Sequence, residues 1–577
     1  LDKALEMGKT SALGSFHLLI GVAGSTVIMA IGTIILAILL PVNQVGLYGM
    51  ALIPATMITY FRDWGVSSAL TQKIASLRAD NKFEEINDVL LSGVVFEVAS
   101  GFVLALVCFG LAWPIAYFLS PSDVEALTVY IQIMSLSIFA GAIASAASGV
   151  IIGFEKMKYN SFLQIFQAVV KTGLGPLLIV LGYGVLGAVT AAMLSIVISG
   201  ILAGLIIYVA FYRRNKQQCQ NSHRCNIRKT LKPMLNYGIP LTFSSLVIGV
   251  LPQLFVLMMA SFANQGDAAA GLNPGWMMGN YYAAAYFVVL LSFIATPISM
   301  ALFPTFSKLN PEKDMSLLRT VFASSVKYTS LLMVPAAFAI ITLAAPLVNT
   351  IFPAEGNLFQ SFYMMLDGSK YPYGALFLAF SCLVYLLVLI GNISLGTFQT
   401  GIGKTKQVMY QSLLSLAIGI PLALVLVGYF YNIGGAVYAV IGGLIGSLIA
   451  TVPNVVWGLV WSYRHYRVKA DFWVSLKILI ASLLASGVAY AVIVFLNASM
   501  PQGIVLIAGF VVFALVYLAS APLLGAINRM DIKNFVAMFS GLGLVSKILD
   551  LPLGFMNKIC RDKPAAGVSV EVPLKSE

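Results

Sequence analysis

Lys171 is the residue whose chemistry is hardest to explain by ordinary solvation. It lies about eleven residues into the apolar stretch 160–181, too deep for its aliphatic stem to carry the ammonium easily to water. Gln164 and Gln167 precede it at helical spacing, so a helix here carries all three on one face. An ammonium flanked by amides in an apolar wall suits an anionic head group, a phosphate above all. The alternative is a lysine paired internally with a carboxylate for packing.

The other ionisable candidates are few. Glu97 lies roughly two turns into the stretch 89–118, where it can pair with Lys171, carry a coupling proton or serve a purely structural pair. Arg62 and Asp63 end the stretch 44–66 in YFRDWG. They read either as an arginine held by an aspartate to meet phosphate or, the reading we favour, as two charges marking the water boundary. Lys156 and Lys158 match Lys404 and Lys406 as symmetric basic loops fit to guide an anionic lipid, although topology alone places lysines there. Tyr281, Tyr282 and Tyr286 open the stretch 281–306 and suit either stacking on sugars or an interfacial aromatic belt.

The elements that position these residues must be membrane helices. With 59% hydrophobic residues, 10% charged residues and a mean hydropathy of +0.93, the chain is not a soluble globular protein. Fourteen apolar segments are long enough to span a bilayer: 11–40, 44–66, 89–118, 126–152, 160–181, 185–211, 233–262, 281–306, 323–351, 373–397, 407–429, 433–462, 473–497 and 503–527. Alternate loops and the two ends hold 32 of the 34 Lys and Arg residues, with Lys171 and Lys370 as the exceptions. This bias predicts both termini in the cytoplasm of a multi-pass protein of the cell membrane. The net charge of +12 then reads as topology and attraction to anionic lipid, with no nucleic-acid partner required.

The chain repeats itself. Lys156–Val189 lines up without a gap on Lys404–Val437 at a shift of 248, while SSAL at Ser67 recurs as SMAL at Ser299 at a shift of 232. The 16 extra residues fall between these blocks. The repeat maps Gln164 and Gln167 onto Ser412 and Ser415, and Lys171 onto Gly419, so only one copy carries charge. Inverted or parallel repeats are a common way to build a carrier around a central path.

The expected organisation is a six-helix lobe over 1–211, a cytoplasmic linker over 212–231, a second six-helix lobe over 232–463, an extra helix pair over 464–528 and a cytoplasmic tail over 529–577. Short surface helices are expected at 67–88 and 307–322, and an interfacial helix in DIKNFVAMFSGLGLVSKIL. Pro54, Pro240, Pro297 and Pro421 are expected to interrupt helices and serve as hinges. Cys108, Cys219, Cys225, Cys382 and Cys560 make no disulfide framework, and Cys219, His223 and Cys225 lack a fourth metal ligand. GIGKTK at Gly401 has the wrong spacing for a nucleotide loop, so neither a metal nor another cofactor is expected.

VGLYGMAL at Val45, RDWGVSSAL at Arg62, GFEKMKY at Gly153, YGIPLTFSS at Tyr237 and the long run from Gly279 to Leu309 carry a family likeness over roughly 10–527. The chain resembles the polysaccharide-transporter branch of the multidrug/oligosaccharidyl-lipid/polysaccharide exporter superfamily, including Wzx-type flippases. The resemblance implies an all-α fold of two six-helix lobes around a central cavity, and the even number of helices per repeat relates the lobes by a pseudo-twofold axis along the membrane normal. It also implies movement of a polyprenyl-(pyro)phosphate-linked oligosaccharide to the outer leaflet, without enzymatic chemistry and with glycan-assembly enzymes as partners. The family often carries an acidic residue in the seventh helix, where this chain reads LPQLFVLMMASF. A cation-coupled multidrug exporter is the alternative, disfavoured by the absence of Asp and Glu from Ser11 to Leu40. A glycosyl-lipid polymerase or ligase, the enzymatic alternative, would need larger outside loops.

Overall fold

The computed structural model describes residues 2–62, 64–79, 83–213, 227–307, 309, 313–366, 368–533 and 544–560. The fold is helical, and the one β-bridge among the described residues, Pro353 with Ser369, closes a loop. The first half comprises α1 (Asp2–Leu39), α2 (Val42–Thr59), α3 (Val66–Ala79), α4 (Phe83–Gly110), α5 (Ala112–Leu119), α6 (Val124–Gly153), α7 (Met157–Leu178) and α8 (Gly184–Ile206). The second half comprises α9 (Ile227–Ala269), α10 (Trp276–Ser307), α11 (Met315–Thr342), α12 (Ala344–Ile351), α13 (Gly374–Cys382), α14 (Asn392–Gly401) and α15 (Thr405–Tyr466). Two further helices, α16 (Phe472–Asn497) and α17 (Gln502–Leu523), precede a tail helix α18 (Leu544–Ile559).

Eight of the described helices are long and apolar enough to cross a membrane, or nine if the bent pair Gly374–Ile390 and Asn392–Gly401 is one span. Their outer faces carry exposed apolar side chains, among them Phe102 and Val103 on α4 and Leu483 and Phe495 on α16, as expected where lipid replaces water. Hydroxyls within the helices bond back to their own backbone, as Thr26 does to Val22 O (2.7 Å) and Thr56 to Leu52 O (2.8 Å), so few polar atoms meet hydrocarbon.

Two of the longest segments are hairpins. The helix after Lys156 reverses at Gly182 (φ 94°) and Gly184 (φ 51°), and α15 reverses at Gly434 and Gly435 (φ 70°). These positive φ values admit glycine readily and other residues poorly. Across the second turn, Ser415 Oγ donates to Ala450 O (3.1 Å), so the limbs of α15 lie side by side.

The sequence repeat reappears in the helix bounds. A shift of 232 carries Phe83–Gly110 onto Met315–Thr342 and Ala112–Leu119 onto Ala344–Ile351, with breaks at Leu111 and Leu343. A shift of 248 carries the turn before α7 onto the turn before α15, bond for bond. Lys156 N donates to Ile151 O (3.0 Å) and Lys404 N to Gln399 O (2.9 Å), around a left-handed residue at Glu155 or Gly403. The change of shift falls in the loop 352–373, whose counterpart after α5 is only 120–123.

Three expectations need correction. None of the four prolines ends a helix: Pro54, Pro240, Pro297 and Pro421 all lie inside continuous ones, and the sharp reversals fall at glycines. The expected surface helix at 67–88 is present in α3, whose Val66, Leu70 and Ile74 are buried, but residues 315–322 of its counterpart are the opening turns of α11. Asp314 starts that helix and no breaker separates its amphipathic beginning from its apolar body. Third, the gapless alignment places Gly187 on Gly435, yet Gly187 is helical and buried while Gly435 forms the turn. The first hairpin therefore reverses about a turn earlier. Cys219, His223, Cys225 and residues 534–543 of the expected interfacial helix lie outside the described residues.

The C-terminal pair is docked on the second half. Lys327 Nζ reaches Asp531 Oδ2 at 2.5 Å, Tyr328 donates to the same carboxylate (3.3 Å), and Tyr517 donates to Leu331 O (3.0 Å).

Candidate functional site

Lys171 is half-buried on α7, and it makes no ion pair among the described residues. It lines a crevice walled by Met29, Thr33 and Leu36 of α1, Tyr48 of α2, Thr172 of α7 and Ala188 of α8. Every lining residue belongs to the first half, so this crevice is not the central cavity between two lobes that the resemblance implies. The reason is the close approach of α1 to α7. Gly32 leaves room for Thr172, whose Oγ1 donates to Ile28 O (3.0 Å) and pins the two helices together. Gln164 and Gln167 are half-buried on the same helix.

Glu97 has a different role from the one open to it as a partner of Lys171. It is fully buried, and its Oε2 lies 3.8 Å from Arg62 Nε. Arg62 is itself only 7% exposed and donates from Nη1 to Ile138 O (3.3 Å), filling space left by Gly141. The boundary reading of Arg62 is thereby corrected: the guanidinium turns inward and ties the end of α2 to α4 and α6. Two buried charges of opposite sign need each other, because either one alone carries the full cost of desolvation. Asp63 lies outside the described residues.

The three tyrosines are neither a belt nor an open stacking platform. They line a seam where α2 meets α10. A Cβ at Gly49 would strike the Tyr282 ring, one at Gly46 would strike Gly275 O, and one at Gly279 would strike Val42 O, so three glycines let the helices touch. Tyr281 and Tyr282 pack edge to face at 5.2 Å. The Tyr282 and Tyr286 hydroxyls are shielded from solvent without a hydrogen-bond partner, as is that of Tyr48 on the opposing helix. Lys156, Lys158, Lys404 and Lys406 are all exposed at the starts of α7 and α15. The positive ends of the helix dipoles disfavour them there, so these lysines do not serve to stabilise the helices they open.

A second set of contacts closes the seam at the end where α1 finishes and α2 and α10 begin. Lys370 Nζ donates to Ala37 O (3.0 Å), Ile38 O (2.9 Å) and Leu40 O (2.6 Å), and Tyr371 Oη donates to Ala37 O (2.7 Å). An ammonium thus caps the carbonyl end of α1 from the other half of the molecule. Burial pushes Lys370 down to about 8 from an ordinary 10.5. Asn264 of α9 adds a third tie, donating to Leu119 O (2.6 Å) while accepting from Gly275 N (2.7 Å). Sequence reasoning missed these residues as site elements. Lys370 was visible only as an exception to the charge bias, and Tyr48 only as part of VGLYGMAL.

Among known proteins, the model of the polysaccharide biosynthesis protein family matches residues 12–310. No curated protein matches. The solved structures it is similar to include lipid II flippase MurJ in an inward closed conformation, at 13% identity and a TM-score of 0.62, over 88% of this chain and 98% of that one. An inward-facing multidrug resistance MATE family transporter of the MOP superfamily follows at 17% identity and 0.57, over 77% and 96%. A MOP superfamily transporter from Pyrococcus furiosus, titled for the reverse polarity of its binding pocket, gives 18% identity and 0.52, over 80% and 96%. With more than half of its 577 residues matched, this chain belongs to the polysaccharide biosynthesis protein family, and its helices adopt the fold of the MOP-superfamily transporters.

Proposed function

We propose that this protein is a flippase that carries a polyprenyl-(pyro)phosphate-linked oligosaccharide from the cytoplasmic to the outer leaflet of the cell membrane by alternating access, moving its substrate without transforming it. The observation that carries this reading is Lys171: a cation without an ion-pair partner among the described residues, part-way along a membrane helix and lining a crevice, in a chain of this family. A lone ammonium in a low-dielectric wall attracts a phosphate strongly, while the polyprenyl tail stays in lipid. Gln164 and Gln167 offer hydrogen bonds along the approach, and the exposed lysines at the starts of α7 and α15 gather head groups from the cytoplasmic surface.

The reading takes the chain as fourteen spans, two six-helix lobes and a C-terminal pair, with both termini in the cytoplasm. The close α2–α10 seam and the Lys370 cap then shut the outer face, leaving the carrier poised to load from inside. Reconstitution into liposomes with a fluorescent lipid-linked sugar tests the function. Leaflet exchange above the protein-free rate is expected, and its absence in folded, correctly inserted protein would refute it. Labelling from outside with an impermeant thiol reagent tests the orientation: a single cysteine near Lys229 should stay unreacted in sealed cells.

A further inference from the structure

The loop 352–373 between α12 and α13 has a firmly bonded base. Phe352 packs on Phe287 of α10 and on Tyr371, and its carbonyl accepts from Lys370 N (2.9 Å) and Ser369 Oγ (2.8 Å). Ser361 Oγ donates to Thr350 O (2.9 Å), tying the middle of the loop to the end of α12. Nearer the tip, Asn357 and Gln360 bond reciprocally, each side-chain oxygen accepting the other's backbone N–H (2.8 and 3.1 Å). The backbone is thus held in one shape, and that shape presents large apolar side chains outward. Phe359 is 76% exposed, Tyr363 63%, Met365 60% and Met364 45%. Against water, each would forfeit the gain of burial, and a patch of this kind marks a surface that something covers.

The neighbours of the tip identify the cover. The Phe362 ring rests on Gly503, where a Cβ would strike it, in the first turn of α17. That helix is long and apolar enough to cross the membrane, so its first turn marks a bilayer surface. Ile504, next to Gly503, and Met500, just before the helix, are each 41% exposed, and Phe495 near the end of α16 is 80% exposed. The patch on the loop therefore runs on into helix faces that lipid covers. Aromatic rings with a polar atom, such as Tyr363, settle at this level of a bilayer. Residues 352–369 include Glu355 and Asp367 but no Lys or Arg, so attraction to anionic lipid has no part in seating them. We propose that residues 359–365 are a membrane-surface anchor, dipping into the boundary between head groups and acyl chains of a phospholipid bilayer and held there by burial of apolar area.

The test places nitroxide labels on single cysteines of the full-length protein in phosphatidylcholine nanodiscs. Cys219→Ser and Cys225→Ser leave no other thiol than Cys108, Cys382 and Cys560, which are buried. Collision with oxygen, which concentrates in lipid, is compared with collision with a water-soluble nickel chelate for labels at 359, 363 and 365. A label replacing exposed Lys313 gives the aqueous reference and one replacing Phe495 the lipid reference. The oxygen-to-nickel ratio at the three tip positions should exceed the aqueous reference severalfold, toward the lipid one. A ratio equal to the aqueous reference puts the tip in water, and low collision rates with both reagents put it against protein; either result overturns the anchor. Tyr363→Asn with Met364→Asn, both at exposed positions, should lower the ratio at 359 severalfold in protein that still runs as a single species on size-exclusion chromatography. An unchanged ratio there would show that these side chains do not hold the loop in lipid. Adding anionic lipid should leave every ratio as it was, whereas a rise would mean that charge and not apolar area draws the loop in.

Discussion

The helices that follow Lys156 and Lys404 start from identical turns, and their inward faces diverge within four helical turns. On α7 the stripe Gln164, Gln167, Lys171 is half-buried and ends at a crevice. On α15 the matching Ser412, Ser415 and Gly419 are buried, and a Cβ at 419 would strike Leu251 of α9. One scaffold thus serves two purposes: the second copy packs tightly against its neighbour and the first keeps a polar stripe accessible. The difference shows that a repeat fixes where helices begin and leaves their faces free to specialise.

The largest effect is expected from erasing the asymmetry. Gly419→Lys forces a long cation against Leu251 with no carboxylate provided for it, and the folded protein should be largely lost from the membrane. Lys171→Gly, the reciprocal change, should leave it intact. Yield of monodisperse protein on size-exclusion chromatography measures both, and normal accumulation of Gly419→Lys would show that the second copy is not sealed.

Next in size is the charge itself. Lys171→Ala or Lys171→Gln should cut leaflet exchange of a fluorescent lipid-linked sugar by at least about tenfold, equivalent to about 1.4 kcal/mol, while Lys171→Arg keeps part of the activity. Wild-type exchange in Lys171→Ala would remove the functional half of the comparison.

The halves also differ in one connection, four residues at 120–123 against the long loop 352–373 that carries Lys370. Lys370→Ala should raise the rate at which a cysteine placed at buried Ala37 reacts with an impermeant reagent from outside, by severalfold. The pH dependence has a definite sign. Closed, Lys370 titrates near 8, and opened to water it returns toward 10.5, so the closed form holds fewer protons between these values. The ratio of labelling in the parent to labelling in the alanine variant, in which the thiol's own ionisation cancels, should therefore fall as pH rises from about 8 to 10.5. Equal rates in both proteins would dismiss the cap as a closure element.

The smallest effect tests packing in the second hairpin. Ser415→Ala removes the bond to Ala450 O and should cost about 1 kcal/mol of stability without touching transport. Gln167→Ala should do the opposite, lowering exchange with an unchanged melting curve.

The helices themselves were legible in the sequence, because a chain this apolar has to satisfy its backbone within each segment. So were the repeat, down to the turn at Lys156 and Lys404, and the singular character of Lys171. What the sequence hid was which side of each helix found which neighbour. Glu97 and Arg62 are 35 positions apart, and only the packing of α2 on α4 brings them together. The tyrosines of α10 looked like an interfacial cluster until Gly49, an ordinary glycine in VGLYGMAL, proved to be the surface the Tyr282 ring rests on. Prolines misled in the other direction. In a bundle, neighbouring groups can compensate for a missing backbone donor, so a proline need not end the helix.

The cap that Lys370 places on α1 has an unusual economy of parts. Its acceptors are main-chain oxygens at positions 37, 38 and 40, which every amino acid supplies equally. The receiving end needs no particular donor side chain of its own, so this closure is inscribed at positions 370 and 371, where Tyr371 shares the Ala37 acceptor. A carrier of this design can have its resting bias retuned by a single codon in the inserted loop, while the helices that handle cargo stay as they are.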